Sequence, residues 1–185
     1  MYYVLECFGP VDRDRAGIGN VLNTSVSWET GHRFAEPPPT PIQVELNPDY
    51  PGMMMPMFNA GILLLSDAML AALVAAGVDN LDVYDAVIRD PATGATHTEY
   101  KAANVIGAIS AADLGQSRYR ALSGSPIIDT EFDSLVIDET KVQGPLLFRL
   151  AECVTAIVVD EKVKSALEHA GIPYLDFIEP KDFIS

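Results

Sequence analysis

The sequence predicts an α+β domain, with a mixed β-sheet and few helices. The stretch 62–85 recurs without a gap as 156–179, and this internal repeat is the main evidence. Each copy begins with an apolar run typical of a strand. Apolar residues at helical spacing follow, and a second apolar run ends the copy. Short apolar segments and turn residues fill most of the remaining chain. At 185 residues the chain suits a single domain, 1–185.

Both copies carry signals that start and stop a helix. Ser66 and Asp160 have short side-chain oxygens that can accept from the free N–H groups of a first helical turn. Gly77 and Gly171 can adopt the left-handed backbone that closes a helix. An apolar stripe facing the sheet is predicted in each helix, at Met69, Leu73 and Ala76 and at Val163, Leu167 and Ala170.

The repeat also predicts its strands. Residues 63–65 and 157–159 read as strands buried on both faces, and 81–88 and 175–178 as the strands that follow each helix. A strand-helix-strand unit this short should make a right-handed crossover between parallel strands. The sequence therefore predicts two related units of one design.

Outside the repeat the predictions are shorter and more local. Residues 1–50 form a loop-rich N-terminal part after a first strand at 2–5, with residues 17–20 read as loop and 42–46 as an edge strand. Turn residues at 90–95 predict an antiparallel hairpin that joins 81–89 to 96–106. Short strands are expected at 127–128 and 135–137.

Composition narrows the function classes. The formal charge of -14 and a sequence pI near 4.4 disfavour direct binding to nucleic acid and favour a basic partner, although acidity for solubility alone is a competing explanation. The two cysteines, Cys7 and Cys153, lack paired-ligand spacing, which favours buried free thiols and a cytoplasmic protein. No apolar stretch reaches membrane-spanning length.

Candidate catalytic and metal-binding patterns are weak. Met53, Met54, Met55 and Met57 could in principle bind copper(I), but consecutive residues point in different directions, and core filling explains them better. The histidines stand alone, and the serines lack a nucleophile motif. The sequence therefore predicts neither a metal nor an organic cofactor, and favours a protein that is not an enzyme.

One acidic stretch stands out as a candidate partner-binding site. It carries five acids in eleven residues without a lysine or arginine, and Phe132 is a candidate apolar anchor among them. Alternatively, these acids lie on a loop, where water screens the repulsion between them and no partner is needed. The predicted site consists of Asp129, Glu131, Phe132, Asp133, Asp138 and Glu139.

Three segments resemble bacterial immunity protein family eleven, a family of polymorphic-toxin immunity proteins formerly known only as a domain of unknown function. They are residues 146–152 with the second repeat copy, residues 100–106 with Ala112, Asp113 and Ser117, and residues 62–78. The resemblance covers about 60–180. It implies a cytoplasmic antidote, encoded beside a toxin that is often a nuclease, which it neutralises by stoichiometric binding. It implies no catalytic residues.

Two other function classes remain open at this level. A small-ligand-binding protein or enzyme would place its site at the strand ends of one repeat unit. A structural subunit of an assembly would show a large apolar surface, for which the methionine segment is the only hint. The sequence also leaves open whether the chain forms a homo-oligomer.

Overall fold

The computed structural model describes residues 1–10, 14–125 and 127–185, and over these residues it contains fourteen strands and two α-helices. The first eight strands are β1 (Tyr2–Glu6), β2 (Ala16–Val21), β3 (Ile42–Pro51), β4 (Met57–Asn59), β5 (Leu63–Ser66), β6 (Leu81–Arg89), β7 (Thr96–His97) and β8 (Tyr100–Val105). The other six are β9 (Ala108–Ile109), β10 (Arg118–Ala121), β11 (Thr130–Ser134), β12 (Leu147–Leu150), β13 (Cys153–Asp160) and β14 (Asp176–Ile178).

The helices are short. The α-helices are α1 (Asp67–Ala76) and α2 (Glu161–His169), and single 3₁₀ turns lie at Glu139–Lys141 and Pro180–Asp182. Among the described residues, no helix has the length and apolar character needed to cross a membrane. The α+β class predicted from the sequence is confirmed, with far more strand than helix.

Both copies of the repeat fold as strand, helix, strand, as β5-α1-β6 and β13-α2-β14. The two strands of each copy run parallel, as predicted, but they are not neighbours. An antiparallel strand lies between them, β8 in the first copy and β1 in the second. A further strand pairs antiparallel on the other side of β5 and β13. We call β4, β5, α1, β6 and β8 the first unit, and β12, β13, α2, β14 and β1 the second unit.

The pairing register is the same in both units. Leu63 pairs with Asn59 of β4, and at the corresponding position Ile157 pairs with Arg149 of β12. Arg149 and Asn59 also contact each other, with 3.5 Å between Nη1 and Oδ1, so the equivalent strands meet where the units join. The central strands β8 and β1 also pair at equivalent positions. Ser66–Tyr100 in the first unit corresponds to Asp160–Tyr2 in the second, and Val83–Ala103 corresponds to Phe177–Leu5.

The predicted helix caps are present in both units. The side chains of Ser66 and Asp160 accept from backbone N–H groups in the first turns, at 3.2 Å and 2.9 Å. Gly77 and Gly171 have φ of 96° and 68°, and the N–H of the residue after each donates to the carbonyl of Leu73 or Leu167. Each helix therefore closes by the same mechanism. The predicted stripe of α2 is wrong at its last position, because Ala170 is exposed.

The helices pack against each other on one side of the second-unit sheet. Tyr3, Leu5, Ile157 and Val159 of that sheet belong to the core shared with α1 and α2. The opposite face of the same strands belongs to a second core, which includes Val4, Phe148, Val158, Phe132 and Leu135. The sheet is therefore buried on both faces, as residues 157–159 predicted. The β10-β11 hairpin contributes to its outer cover.

The first unit is extended at the side of β6. There β3 pairs parallel to β6, and β2 pairs antiparallel to β3. The prediction of loop at 17–20 is wrong, and so is the edge assignment of 42–46. Gly17 and Gly19 allow a close approach, because an added Cβ would come within 3.0 Å of Tyr50 and 3.2 Å of the backbone of Asn47. These glycines belong to a strand with shifted register.

Two further predictions have opposite outcomes. The hairpin that joins 81–89 to 96–106 is confirmed by β6 pairing with β7 and β8. The short strands at 127–128 and 135–137 are wrong, because the chain instead forms β10 and β11. Ile128 has a left-handed backbone, and Ile137 makes only an isolated bridge to Ala112.

Candidate partner-binding surface

The acidic residues of β11 lie on one side of the strand and Phe132 on the other. Successive side chains of a strand point to opposite faces, so Glu131 and Asp133 face outward while Phe132 points into the core. Phe132 is 1% exposed, and its ring centroid lies 6.2 Å from that of Tyr119. The prediction of Phe132 as a surface anchor is therefore wrong, because its side chain packs in the core, on the inner face of the hairpin.

The neighbouring strand partly neutralises these acids. Arg120 lies opposite Glu131 and forms an ion pair with it, and the hydrogen bond to Glu131 raises the pKa of Arg120. Asp129 accepts a hydrogen bond of 2.9 Å from the hydroxyl of Ser123. Within the described part of the chain, Asp129 and Asp133 form no ion pair. These two carboxylates are therefore the ones available to a cation.

Asp138 and Glu139 belong to a different place. Asp138 caps a 3₁₀ turn, accepting from the hydroxyl and the N–H of Thr140 at 2.6 Å and 3.1 Å. The hydroxyl bond from Thr140 is the main reason why the pKa of Asp138 is lowered. Glu139 lies 3.8 Å from the amine of Met1 and lines a separate cleft with Met1 and Tyr2. The six residues predicted as one site therefore do not form one surface.

A cleft opens beside the loop that joins β10 to β11. Its volume is about 380 Å³, and its apolar lining comes from Ala108, Ile127, Ile128, Ala151 and Val154. Polar residues 27, 29, 30 and 32 form the rest of the lining. Ile127 and Ile128 are 52% and 62% exposed. Sequence reasoning missed both residues as surface candidates because it assigned them to a strand.

The backbone holds Ile128 in an unusual conformation. Its φ is 81°, a region that β-branched residues rarely adopt. Its N–H donates to the carbonyl of Ala151 at 2.8 Å, and its carbonyl accepts from the N–H of Val154 at 3.2 Å. Thr130 adds a bond of 2.8 Å to the carbonyl of Glu152. These backbone hydrogen bonds hold the loop against the turn before β13, and the side chain of Ile128 faces solvent.

The opposite wall of the cleft is fixed by a close contact. Gly31 lies so near Ala108 that an added Cβ would come within 2.5 Å of its backbone nitrogen. The carbonyl of Gly31 accepts from Gly107 at 2.9 Å, and that of His32 accepts from the side chain of Asn104 at 2.8 Å. The cleft thus lies between two segments whose backbones are both hydrogen-bonded to their surroundings.

A buried cation lies close to this cleft. Arg149 is fully buried, and its Nη1 donates to the carbonyl of Val154 at 2.7 Å. Burial lowers the pKa of Arg149, while the charge of Glu29, at the cleft wall, favours the charged form. Glu29 therefore has a partial counter-charge within the protein. The sequence identified Arg149 only as part of the family-like segment.

Two carboxylates meet where β1 pairs with β14. Glu6 lies directly opposite Asp176. Burial is the main cause that raises the pKa of Glu6; Arg15 lowers this pKa, and Asp176, the smallest of the three causes, raises it. The corresponding pair of the first unit, Asn104 and Asp82, contains only one charge. The second unit therefore carries a repulsion that the first unit lacks.

The remaining candidates for chemistry are structural. Both cysteines are free and buried, as predicted, and burial raises the pKa of Cys7 to about 11. The Cys7 thiol is therefore protonated at neutral pH and a poor nucleophile. Met55 and Met57 are buried in the core. Among the described residues, no group of three or more His, Cys, Asp or Glu side chains is placed to hold a metal ion.

The family model of the Immunity protein family (Imm11) matches residues 12–182. The chain belongs to this family. The match covers the first unit, the hairpin, the cleft and every element of the second unit except β1, so the resemblance seen in three short segments extends over nearly the whole chain. No curated protein matches the sequence. Membership indicates a role in immunity to a toxin, and the toxin is therefore the partner to consider for the surface described above.

Proposed function

We propose that this protein acts in the cytoplasm as the antidote to one cognate protein toxin, which it neutralises by stoichiometric binding. The observation that carries the proposal is the family match over 12–182. Occlusion requires no catalytic group of its own, and a buried, protonated Cys7 is consistent with a binding protein. A nuclease suits this role, because such a toxin must present cations to phosphate and an acidic antidote can cover them.

The charge of -14 supports fast, electrostatically steered association with a basic toxin. Asp129, Glu131 and Asp133 project from the hairpin, and two of them lack an ion-pair partner among the described residues. We expect these three acids to contribute to the encounter. Asp138 and Glu139 are tied to the 3₁₀ turn and the N-terminus, so we expect less from them.

Co-expression tests the function. Cells that produce the toxin encoded beside this gene should survive with this protein and die without it. Equal killing in both cultures would contradict the immunity function. A complex of one toxin and one antidote, detected by size-exclusion chromatography with light scattering, should accompany protection.

Charge reversal tests the contribution of the hairpin. The variant Asp129→Lys, Glu131→Lys, Asp133→Lys should associate more slowly at low salt, with a smaller change in dissociation rate. The matched control is Asp49→Lys, Asp79→Lys, Glu168→Lys, which changes the net charge equally at exposed acids elsewhere. If both variants slow association to the same extent, net charge alone steers the encounter and the hairpin has no special role.

A further inference from the structure

The loop between β10 and β11 presents apolar side chains to solvent at high cost to its own backbone. Leu122 is 56% exposed, and it adds to the exposed surface of Ile127 and Ile128. A residue such as glycine or asparagine would adopt the φ of Ile128 more easily than isoleucine does. Strain of this kind persists where surrounding structure imposes it, and it is concentrated at binding sites.

The side chain of Ile128 borders a cleft that can receive a side chain of a partner. Ile127 and Ile128 form one apolar wall of the 380 Å³ cleft, and Ala108, Ala151 and Val154 add small side chains that leave room. The size is at the lower end of ligand-binding pockets, which suits one or two large side chains of a partner. Interface hot spots have this form, with an apolar or aromatic anchor in a pocket surrounded by polar contacts.

The charges around the cleft select the partner. Asp129 directly follows Ile128, and its backbone forms an isolated β-bridge with Cys153, the neighbour of the cleft residue Val154. Asp129 and Asp133 have no ion pair among the described residues, whereas the charge of Glu29, in the cleft wall, is partly offset by the buried Arg149. A partner that places lysine or arginine beside its apolar anchor would complement this arrangement. A second copy of this chain, with the same negative charge, would not.

We infer that the cleft beside Ile127 and Ile128 is the anchor pocket for the toxin, and that it takes an apolar or aromatic side chain flanked by basic residues. This inference rests on the proposed function. It assigns the short-range, dissociation-controlling contacts to the cleft, whereas the outward acids of β11 act earlier, during the encounter.

Ile128→Asn is the sharpest variant for a test. Asparagine tolerates the left-handed backbone, so the fold should be as stable as the wild type or more stable, while the apolar surface is lost. The matched control is Val74→Asn, which removes an apolar side chain that is 60% exposed on α1. A second variant, Ala151→Phe, fills the cleft from its wall and leaves the backbone bond from Ile128 in place.

The measurement is surface plasmon resonance of the full-length variants against the toxin domain encoded beside this gene, carrying an inactivating substitution. We expect Ile128→Asn and Ala151→Phe to weaken binding at least tenfold, mainly through faster dissociation, with unchanged or higher melting temperatures for Ile128→Asn. Val74→Asn should bind within twofold of the wild type.

Three outcomes would overturn the inference. If Ile128→Asn or Ala151→Phe binds the toxin domain within twofold of the wild type, the anchor pocket lies elsewhere and the immunity function still stands. If sedimentation shows that the wild type is a dimer and Ile128→Asn is a monomer, while toxin binding is not weakened, the cleft serves self-association. If the wild-type protein itself does not bind the toxin domain, the proposed function fails along with the pocket.

Discussion

In the first unit the central strand, β8, follows the repeat along the chain, whereas in the second unit the central strand, β1, precedes everything else. Both strands nevertheless pair in the same register with the two strands on either side. The order of elements along the chain differs, but the hydrogen-bonded arrangement does not. The arrangement is therefore set by the parallel strand pair and its helix, which leave one gap of fixed width for an antiparallel strand.

The units differ more in what surrounds them. The first unit extends its sheet through β3 and β2. The second unit extends its sheet only by the two-residue β9, which pairs with β12, and carries the β10-β11 hairpin and the 3₁₀ turn Glu139–Lys141 next to its outer face. The candidate surface lies between the hairpin, the segment 27–32 and the start of β13, outside the repeated stretch 156–179. A duplicated scaffold can thus have a candidate binding surface beside one copy, while the other copy has the longer sheet extension.

The largest expected effect tests whether the units contribute equally to stability. Leu73→Ala and Leu167→Ala truncate equivalent helix residues that are both fully buried. Each should lower the free energy of unfolding by about 3 kcal/mol, because a cavity is left in a shared core. Urea denaturation measures both. A cost below ~1 kcal/mol for only one of them would break the equivalence.

The next effect tests the shared helix termination. Gly77→Val and Gly171→Val force a β-branched side chain into a left-handed backbone, and each should destabilise by roughly 1–2 kcal/mol. An added Cβ at Gly171 has no heavy atom within 4 Å, so its cost is purely conformational. At Gly77 the added Cβ would lie 3.3 Å from the flexible end of Lys162 and 3.6 Å from Cδ1 of Leu146, which is an ordinary contact. Gly171→Asn is the control and should cost less. A neutral Gly171→Val would contradict the assigned termination.

The smallest effect concerns the carboxylate pair that only the second unit has. The pKa of Glu6 is raised, so this group favours the folded state at low pH, and that contribution is lost as pH rises through the raised pKa. Glu6→Gln should therefore stabilise by about 0.5 kcal/mol at pH 7, and the gain should vanish below about pH 4. Thermal denaturation at both pH values measures it.

The control for that prediction is Glu45→Gln. Glu45 lies opposite Arg89 rather than opposite another carboxylate, so its neutralisation should not stabilise the protein. If Glu6→Gln destabilises at pH 7, attraction to Arg15 outweighs burial and the repulsion from Asp176 together, and the carboxylate pair does not weaken the second unit.

The repeat made the two units predictable, because caps, helix stripes and terminal glycines are local signals. The turn residues at 90–95 predicted the pairing of β6 with β8. The insertion of β8 beside β5 and of β1 between β13 and β14 could not be predicted, since both strands lie outside the repeated stretch and β1 is distant from its partners. The glycines of β2 looked like loop residues, although they serve close strand contact.

For the candidate surface, one local signal was overlooked. Glu131, Phe132 and Asp133 alternate with period two, which is typical of a strand with the aromatic residue inside and the acids outside. The cleft itself was not predictable, because its walls come from residues 27–32, 108, 127–128 and 151–154. Their proximity depends on the packing of loops that have no periodic pattern.

The position of β1 has a consequence for synthesis on the ribosome. Tyr3 bonds Glu161 through its hydroxyl at 2.7 Å, across a sequence separation of 158 residues. At roughly 5–20 residues per second, translation takes on the order of 10–30 s to deliver that partner. The strands of the first unit all lie within 57–105 and can assemble early, whereas β1 must wait without its neighbours. The second unit therefore completes its sheet only after nearly the whole chain has been made, and any surface that depends on this sheet forms at the end of synthesis.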